Sequence, residues 1–284
     1  MSSYTINIKR IRNKYDINLN MIIEITPFSI IYEGYKLNTI EQNVVIIESI
    51  QLKNQISFMN IQSKNSHPFI IKPIEVIQDN LNIYIVYPNY SFFNKINIKT
   101  KTEFDMFFNE FRILIKHIID SNLNIEPIKL KDIYMKDTIH VLLHYTQNNK
   151  MEQYGSPIYS PPELFSNKKI LLEEKLLWNF GIILYEIIKK TTPYESCKDI
   201  KDIINLSKII NFNNNDEDNF LKLFLANNYY ERVNIKDFYE IKIEEYNFFK
   251  NIEINETNEI EINNKEEINE EQKENSDDIF DLEI

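Results

Sequence analysis

The sequence predicts an α+β protein in which a small, strand-rich lobe is followed by a larger helical lobe. Short runs rich in Ile, Val and Tyr, typical of antiparallel strands, occupy much of residues 21–86. After residue 90 the apolar residues instead recur at the 3.6-residue spacing of helices. The chain has 284 residues, 43% of them hydrophobic, which is enough apolar material for a two-lobed core.

Four runs predict the strands of the small lobe, which we expect to occupy about residues 21–89. Each is rich in Ile, Val or Tyr, and one helix is expected among them. The runs are 21–25 (MIIEI), 29–35 (SIIYEGY), 43–50 (NVVIIESI) and 82–87 (NIYIVY). Their short length predicts a mostly antiparallel sheet.

The helical lobe is expected to occupy about residues 90–248. Its clearest helix should begin at Thr102, which can cap the helix together with Asp105 three residues later. A wide apolar stripe predicts that one side of this helix is buried. The stripe consists of Phe104, Phe107, Phe108, Phe111, Leu114, Ile115, Ile118 and Ile119.

Three further segments complete the helical lobe. Residues 132–135 (DIYM) and 139–145 (IHVLLHY) predict a hairpin, because the turn-forming Lys136 and Asp137 separate them. A proline-rich loop at 154–165 (YGSPIYSPPELF) then leads to a strongly apolar helix at 176–190 (LLWNFGIILYEIIKK).

The formal charge of −11 is concentrated at the C-terminus. Residues 251–284 contain 13 acidic residues and two lysines, so the rest of the chain is neutral overall. A neutral body provides no net attraction for nucleic acid, and we expect none to bind. Residues 249–284 lack a sustained apolar stripe and are predicted to form a disordered acidic tail. Residues 1–20 form a basic N-terminal segment that contains Lys9, Arg10, Arg12 and Lys14.

Cysteine and glycine are both scarce. The single Cys197 permits no internal disulfide, which fits an intracellular compartment, cytoplasmic or nuclear. No uncharged apolar run reaches the roughly 18 residues of a membrane span, so we expect no membrane partner. The three glycines, Gly34, Gly155 and Gly181, are too far apart to share a phosphate-binding loop.

Two stretches in the second half of the chain carry a family resemblance. Residues 154–163 (YGSPIYSPPE) resemble the segment Gly-Thr-x-x-Tyr-x-Ala-Pro-Glu that ends the activation loop of eukaryotic protein kinases. Residues 178–186 (WNFGIILYE) resemble the family's core helix, Trp-Ser-x-Gly-x-x-Leu-x-Glu, and Pro193-Tyr194 follows at the place of Pro-Phe. Further similarities at 67–72, 83–86 and 231–234 extend the resemblance over residues 20–245.

The resemblance implies a two-lobed protein-kinase-like fold, with the domain at residues 21–248. It also implies an ion pair between Glu163 and Arg232, because the family joins the Glu of its Pro-Glu pair to an Arg near the end of the domain. Loss of one partner of such a buried pair would leave the other charge stranded, at a cost of about 3–5 kcal/mol.

The positions that hold ATP in the family carry other residues in this chain. In the best register the glycine-loop positions fall on Glu24, Thr26 and Ser29, so that side chains and a carboxylate occupy the approach to the phosphates. The phosphate-binding lysine falls on Glu48, or on Ile47 if the register shifts by one residue. Its glutamate partner falls on Phe58. We therefore expect no bound cofactor.

The catalytic machinery is also replaced. Residues 128–135 (IKLKDIYM) align with the family's Leu-Lys-Pro-Glu-Asn-Ile-Leu-Leu, which puts Pro127 at the place of the catalytic Asp. Lys129 remains, whereas Asp132 replaces a metal-binding Asn and Leu143 replaces the Asp of Asp-Phe-Gly. A proline cannot accept a proton and a leucine cannot hold magnesium, so the resemblance implies neither a general base nor a metal here.

These replacements predict a pseudokinase, a kinase-like domain without catalysis that acts as a protein-interaction scaffold or allosteric regulator. The resemblance implies an active kinase or its substrate as the protein partner. The alternative is a divergent serine/threonine-type phosphotransferase of weak activity that binds ATP and a metal through Lys129, Asp132 and Glu48. A relic without a current biochemical role is the third interpretation.

Overall fold

The computed structural model describes most of both predicted lobes. The described residues are 7–25, 29–38, 44–51, 67–89, 94–123, 125–135, 137–144, 157–166, 169–197, 201–203 and 210–246. Thr26, Phe58 and the predicted acidic tail at 249–284 lie outside them.

The first part of the chain forms a six-stranded antiparallel sheet in the order β1-β2-β3-β4-β6-β5. The alternation of the side chains explains the sheet: in the third strand, Ser29 and Ile31 are buried while Ile30 and Tyr32 are only partly covered. The strands are β1 (Ile8–Ile11), β2 (Tyr15–Ile25), β3 (Ser29–Lys36), β4 (Val44–Gln51), β5 (Glu75–Gln78) and β6 (Asn82–Tyr87).

The sheet begins before residue 21, so part of the predicted basic N-terminal segment belongs to the small lobe. Strands β1 and β2 pair as a hairpin whose turn is closed by a hydrogen bond from Lys14 N–H to the Ile11 carbonyl (2.9 Å). The alternating residues Tyr15 and Ile17 are buried in a second, smaller core. The basic side chains that suggested a separate segment pair with carboxylates instead: Arg10 with Asp16 (2.8 Å) and Lys14 with Glu75 (2.9 Å).

Within the described residues, the second part of the chain forms a three-stranded sheet and several helices. The predicted hairpin is confirmed, since Ile133 pairs with Val141 and Met135 with Ile139. The strands are β7 (Asn94–Lys95), β8 (Ile133–Met135) and β9 (Ile139–Val141). The helices are α1 (Lys101–Asp120), α2 (Leu172–Lys189), α3 (Asp216–Leu225) and α4 (Ile235–Glu240). A small antiparallel β lobe followed by a helical lobe confirms the predicted α+β arrangement.

Helix α1 begins slightly earlier than the sequence predicts. Its cap is Thr100 rather than Thr102: the Thr100 hydroxyl accepts from Glu103 N–H (3.2 Å), and the Glu103 carboxylate accepts from Thr100 N–H (3.1 Å). This capping box satisfies two backbone donors at once, which leaves Thr102 within the first turn. The predicted apolar stripe is buried from Phe104 to Ile118.

Helix α2 lies at the centre of the large lobe, and ten of its residues are buried. Its Gly181 permits a close approach to α3, because a Cβ atom at this position would lie 2.6 Å from the Phe224 Cβ and 2.8 Å from a Leu225 methyl group. The ring of Phe180 packs edge-on against that of Phe224, with centroids 5.7 Å apart. The glycine is therefore required by helix packing rather than by backbone conformation.

The two lobes are joined by backbone hydrogen bonds and by a shared core. Val141 N–H of β9 donates to the Phe69 carbonyl (2.8 Å), and Ile71 N–H donates to the Val141 carbonyl (3.0 Å). Ile31 and Tyr87 of the small lobe belong to the same buried cluster as the phenylalanines of α1. This junction determines where the strands of the small lobe meet the loop at 125–132.

Candidate functional site

Helix α2 fixes the loop at 125–132 through one buried side chain. The side chain of Asn179 is 3% exposed and makes two hydrogen bonds to one residue of the loop. Its Oδ1 accepts from Ile128 N–H (2.9 Å), and its Nδ2 donates to the Ile128 carbonyl (2.7 Å). A third bond runs from Glu126 N–H to the His144 carbonyl (2.8 Å). These contacts fix the loop that the resemblance identifies with the catalytic loop.

Glu24 of β2 contacts this loop at the place where the two lobes face each other, which we call the cleft. Its carboxylate lies 2.8 Å from Lys129 Nζ and 2.6 Å from Lys131 Nζ. The side chains of Glu24 and Lys129 are only 16% and 11% exposed, whereas Lys131 is about half exposed. A glycine-loop position and the one retained catalytic-loop lysine are therefore joined in an internal ion pair.

The two lysines keep Glu24 ionised. Burial disfavours its charged form, but the hydrogen bonds and charges of Lys129 and Lys131 outweigh burial and lower the pKa of Glu24 below its ordinary value. Burial likewise opposes the charge of Lys129, yet the hydrogen bond to Glu24 and the field of Asp132 raise the pKa of this lysine. The pair is thus fully charged near neutral pH.

Asp132 lies deeper in the cleft, beside His144. Its Oδ1 atom is 3.6 Å from His144 Nε2, and both side chains are almost completely buried. The Oδ2 atom of Asp132 has no hydrogen-bond partner within the described part of the chain. Nowhere in that part do three or more His, Cys, Asp or Glu side chains come together in a way that could hold a metal ion.

The other predicted site residues occupy separate places. Glu48 lies in β4, in register with Ile31 of β3 and Ile85 of β6. Ser29 is buried at the start of β3, and Leu143 is 1% exposed within the main core. Pro127 belongs to the loop that Asn179 holds. The structure therefore brings Glu24, Lys129 and Asp132 together, whereas Leu143 contributes only apolar packing.

Glu163 and Arg232 form the ion pair that the resemblance implies. The guanidinium donates two hydrogen bonds to the carboxylate, at 2.8 and 2.9 Å, and its Nε donates a third to the Ala226 carbonyl (2.8 Å). Both side chains are about nine-tenths buried. The guanidinium also lies over the ring of Trp178, 4.3 Å from the centroid. This arrangement ties the loop at 157–166 to α2 and to the turn before α4.

A second buried contact, which sequence reasoning missed, anchors the same loop. The Tyr159 hydroxyl donates to both carboxylate oxygens of Glu186, at 2.8 and 3.0 Å. Burial, together with the nearby carboxylate, raises the pKa of Tyr159 far above its ordinary value, and burial raises that of Glu186. The sequence signal for Glu186 and for Asn179 was a polar residue inside an otherwise apolar helix.

Glu24, Lys129 and Lys131 therefore balance one another's charges in the cleft. A kinase uses fixed cations to neutralise the phosphates of a nucleotide. In this chain the two lysines of the loop already bind a carboxylate, and a phosphate would have to compete with Glu24 for them. The arrangement is suited to holding the lobes together more than to holding a nucleotide.

Comparison with known proteins finds protein kinases that are similar to this chain at low identity. A serine/threonine-protein kinase of Schizosaccharomyces pombe, ppk6, is 25% identical over 162 residues, which is 52% of this chain. The serine/threonine-protein kinase polo of Drosophila melanogaster is 24% identical over 173 residues, 56% of the chain, and NUAK family SNF1-like kinase 1 of Mus musculus is 25% identical over 175 residues, 54% of the chain.

These relatives support the protein kinase superfamily. The two-lobed, kinase-like α+β fold agrees with them. The matches cover only 21%, 30% and 27% of the respective relatives' lengths. No protein-family model matches the chain. Within its described portion, every helix is too short or too polar to cross a bilayer.

Proposed function

We propose that this chain is a pseudokinase, a kinase-like domain that lacks phosphotransfer and acts as a protein-interaction scaffold or allosteric regulator. The observation that carries the proposal is the ion pair of Glu24 with Lys129 and Lys131, at 2.8 and 2.6 Å. In this ion pair Glu24 neutralises the two lysines that would otherwise be available to bind a triphosphate. A carboxylate at this position also repels phosphate directly.

The replaced catalytic positions support the same proposal. Pro127 cannot act as a general base, and the absence of such a base typically costs about 100- to 10,000-fold in rate. Leu143 is buried in the core and cannot bind magnesium. Without the metal and the phosphate-binding lysine, most of the electrostatic stabilisation of phosphoryl transfer is lost as well.

The intact framework of the large lobe supports an interaction role. Glu163, Arg232 and Asn179 hold the loops around the cleft in a defined shape although the chemistry has been replaced. A fixed surface of this kind suits recognition of a protein, and we propose an active kinase or its substrate as the partner. We propose neither a nucleic-acid nor a membrane partner.

A nucleotide titration tests the proposal. The melting temperature of the purified full chain is measured with and without millimolar ATP and magnesium. The same measurement is made on Glu24→Gln and on Glu33→Gln. The second variant is a control, because it removes a carboxylate from β3 instead of from β2. We expect no shift for the unmodified chain and for the control. A magnesium-dependent shift of the unmodified chain, together with transfer of the γ-phosphate to a protein substrate, would contradict the proposal.

One observation favours the alternative, a divergent ATP-binding phosphotransferase of weak activity. The Asp132 carboxylate is buried next to Lys129 and has one oxygen atom without a hydrogen-bond partner among the described residues. If Glu24 moved away, Lys129, Lys131 and Asp132 could together contact a metal-bound phosphate. This alternative predicts a magnesium-dependent thermal shift with ATP that Asp132→Ala abolishes.

A further inference from the structure

A cavity of about 270 Å³ opens on the large lobe, and its lining does not include Glu24, Lys129 or Asp132. It lies between the first turn of α2, the end of α3 and the turn that precedes α4. Its deeper wall is apolar and includes Trp178 and Phe224, both 1% exposed. Glu173 and Tyr230 lie among the residues that line it closer to solvent.

The charged groups that line the cavity favour a cation. They are Glu173, Glu174 and Arg232, and the Arg232 charge is balanced by its bidentate pair with Glu163. Glu174 accepts hydrogen bonds from Leu171 N–H (2.8 Å) and from the Tyr229 hydroxyl. Glu173 forms no hydrogen bond or ion pair with any other described residue. The cavity therefore presents a net negative charge, and one of its carboxylates is available.

Two aromatic side chains add specificity to this charge. Tyr230 is 90% exposed, an unusual state for a large aromatic residue, and its ring stands edge-on to that of Tyr229 with centroids 5.4 Å apart. An exposed ring beside a carboxylate can bind a cation through its face. The indole N–H of Trp178 is buried and finds no acceptor within the described ranges. A buried donor of this kind is normally satisfied.

We propose that this cavity binds an arginine side chain of a partner peptide segment. The guanidinium stacks on Tyr230 and donates to Glu173. Arginine is favoured over lysine because its planar group can stack and donate two parallel hydrogen bonds. The chain's own C-terminal segment is an unsuitable occupant, since residues 251–284 contain 13 acidic residues and two lysines. This inference rests on the proposed role as a protein-interaction module and names one place where it contacts its partner.

Tryptophan fluorescence provides a direct test, because Trp178 is the only tryptophan in the chain. The full chain is titrated to millimolar concentration with the peptide acetyl-Ala-Arg-Arg-Ala-amide. Two matched peptides replace both arginines, one with citrulline, which has nearly the same shape without the charge, and one with lysine. We expect a saturable change of emission with the arginine peptide, weaker binding of the lysine peptide and no saturation with the citrulline peptide.

Three variants locate the binding. Glu173→Gln and Tyr230→Ala should each raise the dissociation constant of the arginine peptide roughly threefold to fivefold, as expected for a partly exposed charge or cation–π contact. Both positions are at the surface of the cavity, so the fold should be unaffected. Glu33→Gln, in β3, removes a carboxylate outside the cavity and should leave the dissociation constant unchanged.

The proposal is overturned if the arginine peptide causes no saturable change, if the citrulline or lysine peptide binds equally well, or if Glu173→Gln binds as tightly as Glu33→Gln. The nucleotide titration described above is independent of this result. Failure of peptide binding would remove this site and leave the pseudokinase proposal intact. Magnesium-dependent nucleotide binding together with transfer of the γ-phosphate would overturn the pseudokinase proposal and leave the peptide result to stand by itself.

Discussion

Glu24 Oε1 and Lys129 Nζ lie 2.8 Å apart, although the two residues are 105 positions apart in the chain. One belongs to the second strand of the small lobe and the other to the loop that α2 holds in place. Their ion pair, extended by Lys131, joins the two lobes at positions that the resemblance assigns to phosphate binding. A group that would repel a nucleotide thus acts as a structural link.

Replacement of Glu24 should weaken this link. Glu24→Gln leaves the mostly buried Lys129 without its nearest carboxylate, and we expect the free energy of unfolding to fall by about 1–3 kcal/mol. Urea denaturation followed by circular dichroism measures the change. The control Glu33→Gln should change the stability by less than about 0.5 kcal/mol. Equal stability of Glu24→Gln and the unmodified chain would show that the pair contributes nothing.

The stabilising effect of Glu24 should depend on pH. Since the folded protein lowers the pKa of Glu24, its contribution is fully present above the ordinary glutamate pKa of about 4.3 and is lost as the pH falls through the lowered folded-state value. The stability difference between the unmodified chain and Glu24→Gln should therefore be constant near neutral pH and disappear in acid. Denaturation curves at a series of pH values measure it. A difference that grows as the pH falls would contradict the assigned direction of the pKa shift.

Loss of one partner of the buried pair in the large lobe should be costly. Arg232→Met leaves Glu163 buried without its bidentate partner, and we expect a loss of about 3–5 kcal/mol in the free energy of unfolding. The double variant Glu163→Gln with Arg232→Met should lose less than the sum of the two single variants, because it contains no stranded charge. Chemical denaturation of all four proteins gives the coupling energy. Strict additivity would mean that the two residues do not interact.

The glycine of α2 should not tolerate a methyl group. In Gly181→Ala the new Cβ would lie 2.6 Å from the Phe224 Cβ, so α2 and α3 would have to separate. Overpacking of this kind typically costs about 1–3 kcal/mol, which exceeds the gain in helix propensity of about 1 kcal/mol from Ala over Gly. Thermal unfolding should show a lower melting temperature. An unchanged or higher value would indicate that the two helices can move apart freely.

The hydrogen bonds of Asn179 should stabilise the loop at 125–132. Asn179→Ala leaves the N–H and carbonyl groups of Ile128 without these partners in the interior, at an expected cost of about 1–3 kcal/mol for each unsatisfied group. Amide hydrogen exchange should show faster exchange of Ile128 and its neighbours in the variant. Asn179→Asp preserves the acceptor for Ile128 N–H but places a carboxylate oxygen against the Ile128 carbonyl in the interior, so we expect it to exchange at least as fast as Asn179→Ala. Unaltered exchange at Ile128 in Asn179→Ala would rule out this anchoring role.

Much of the fold could be predicted because it depends on local patterns. The stripe from Phe104 to Ile118 has the helical period, and the hairpin of β8 and β9 has a two-residue turn signal between apolar runs. The basic charges before residue 21 suggested a separate segment. The apolar residues Tyr15 and Ile17, which alternate with polar ones as in a strand, indicated instead that the sheet begins there. Arg10 proved to be paired with Asp16 on the adjacent strand, and Lys14 with Glu75 on β5 at the other end of the strand order, a contact that only the folded sheet creates.

The site was predictable only in part. The kinase-like motifs identified Glu24, Lys129 and Asp132 one by one, as residues that replace or retain family positions, but no spacing in the sequence indicates that Glu24 reaches both Lys129 and Lys131. The roles of Asn179 and Glu186 were also not predicted, since each binds a residue far away in the chain.

The sequence by itself determined that a strand-rich part precedes a helical part, and which residue types stand at the positions that the resemblance assigns to catalysis, because residue identity and short-range periodicity are properties of the chain alone. Only the tertiary structure decided which charges neutralise one another. The energy of an ion pair depends on distance and burial, and these arise when strands and loops from distant parts of the sequence pack together.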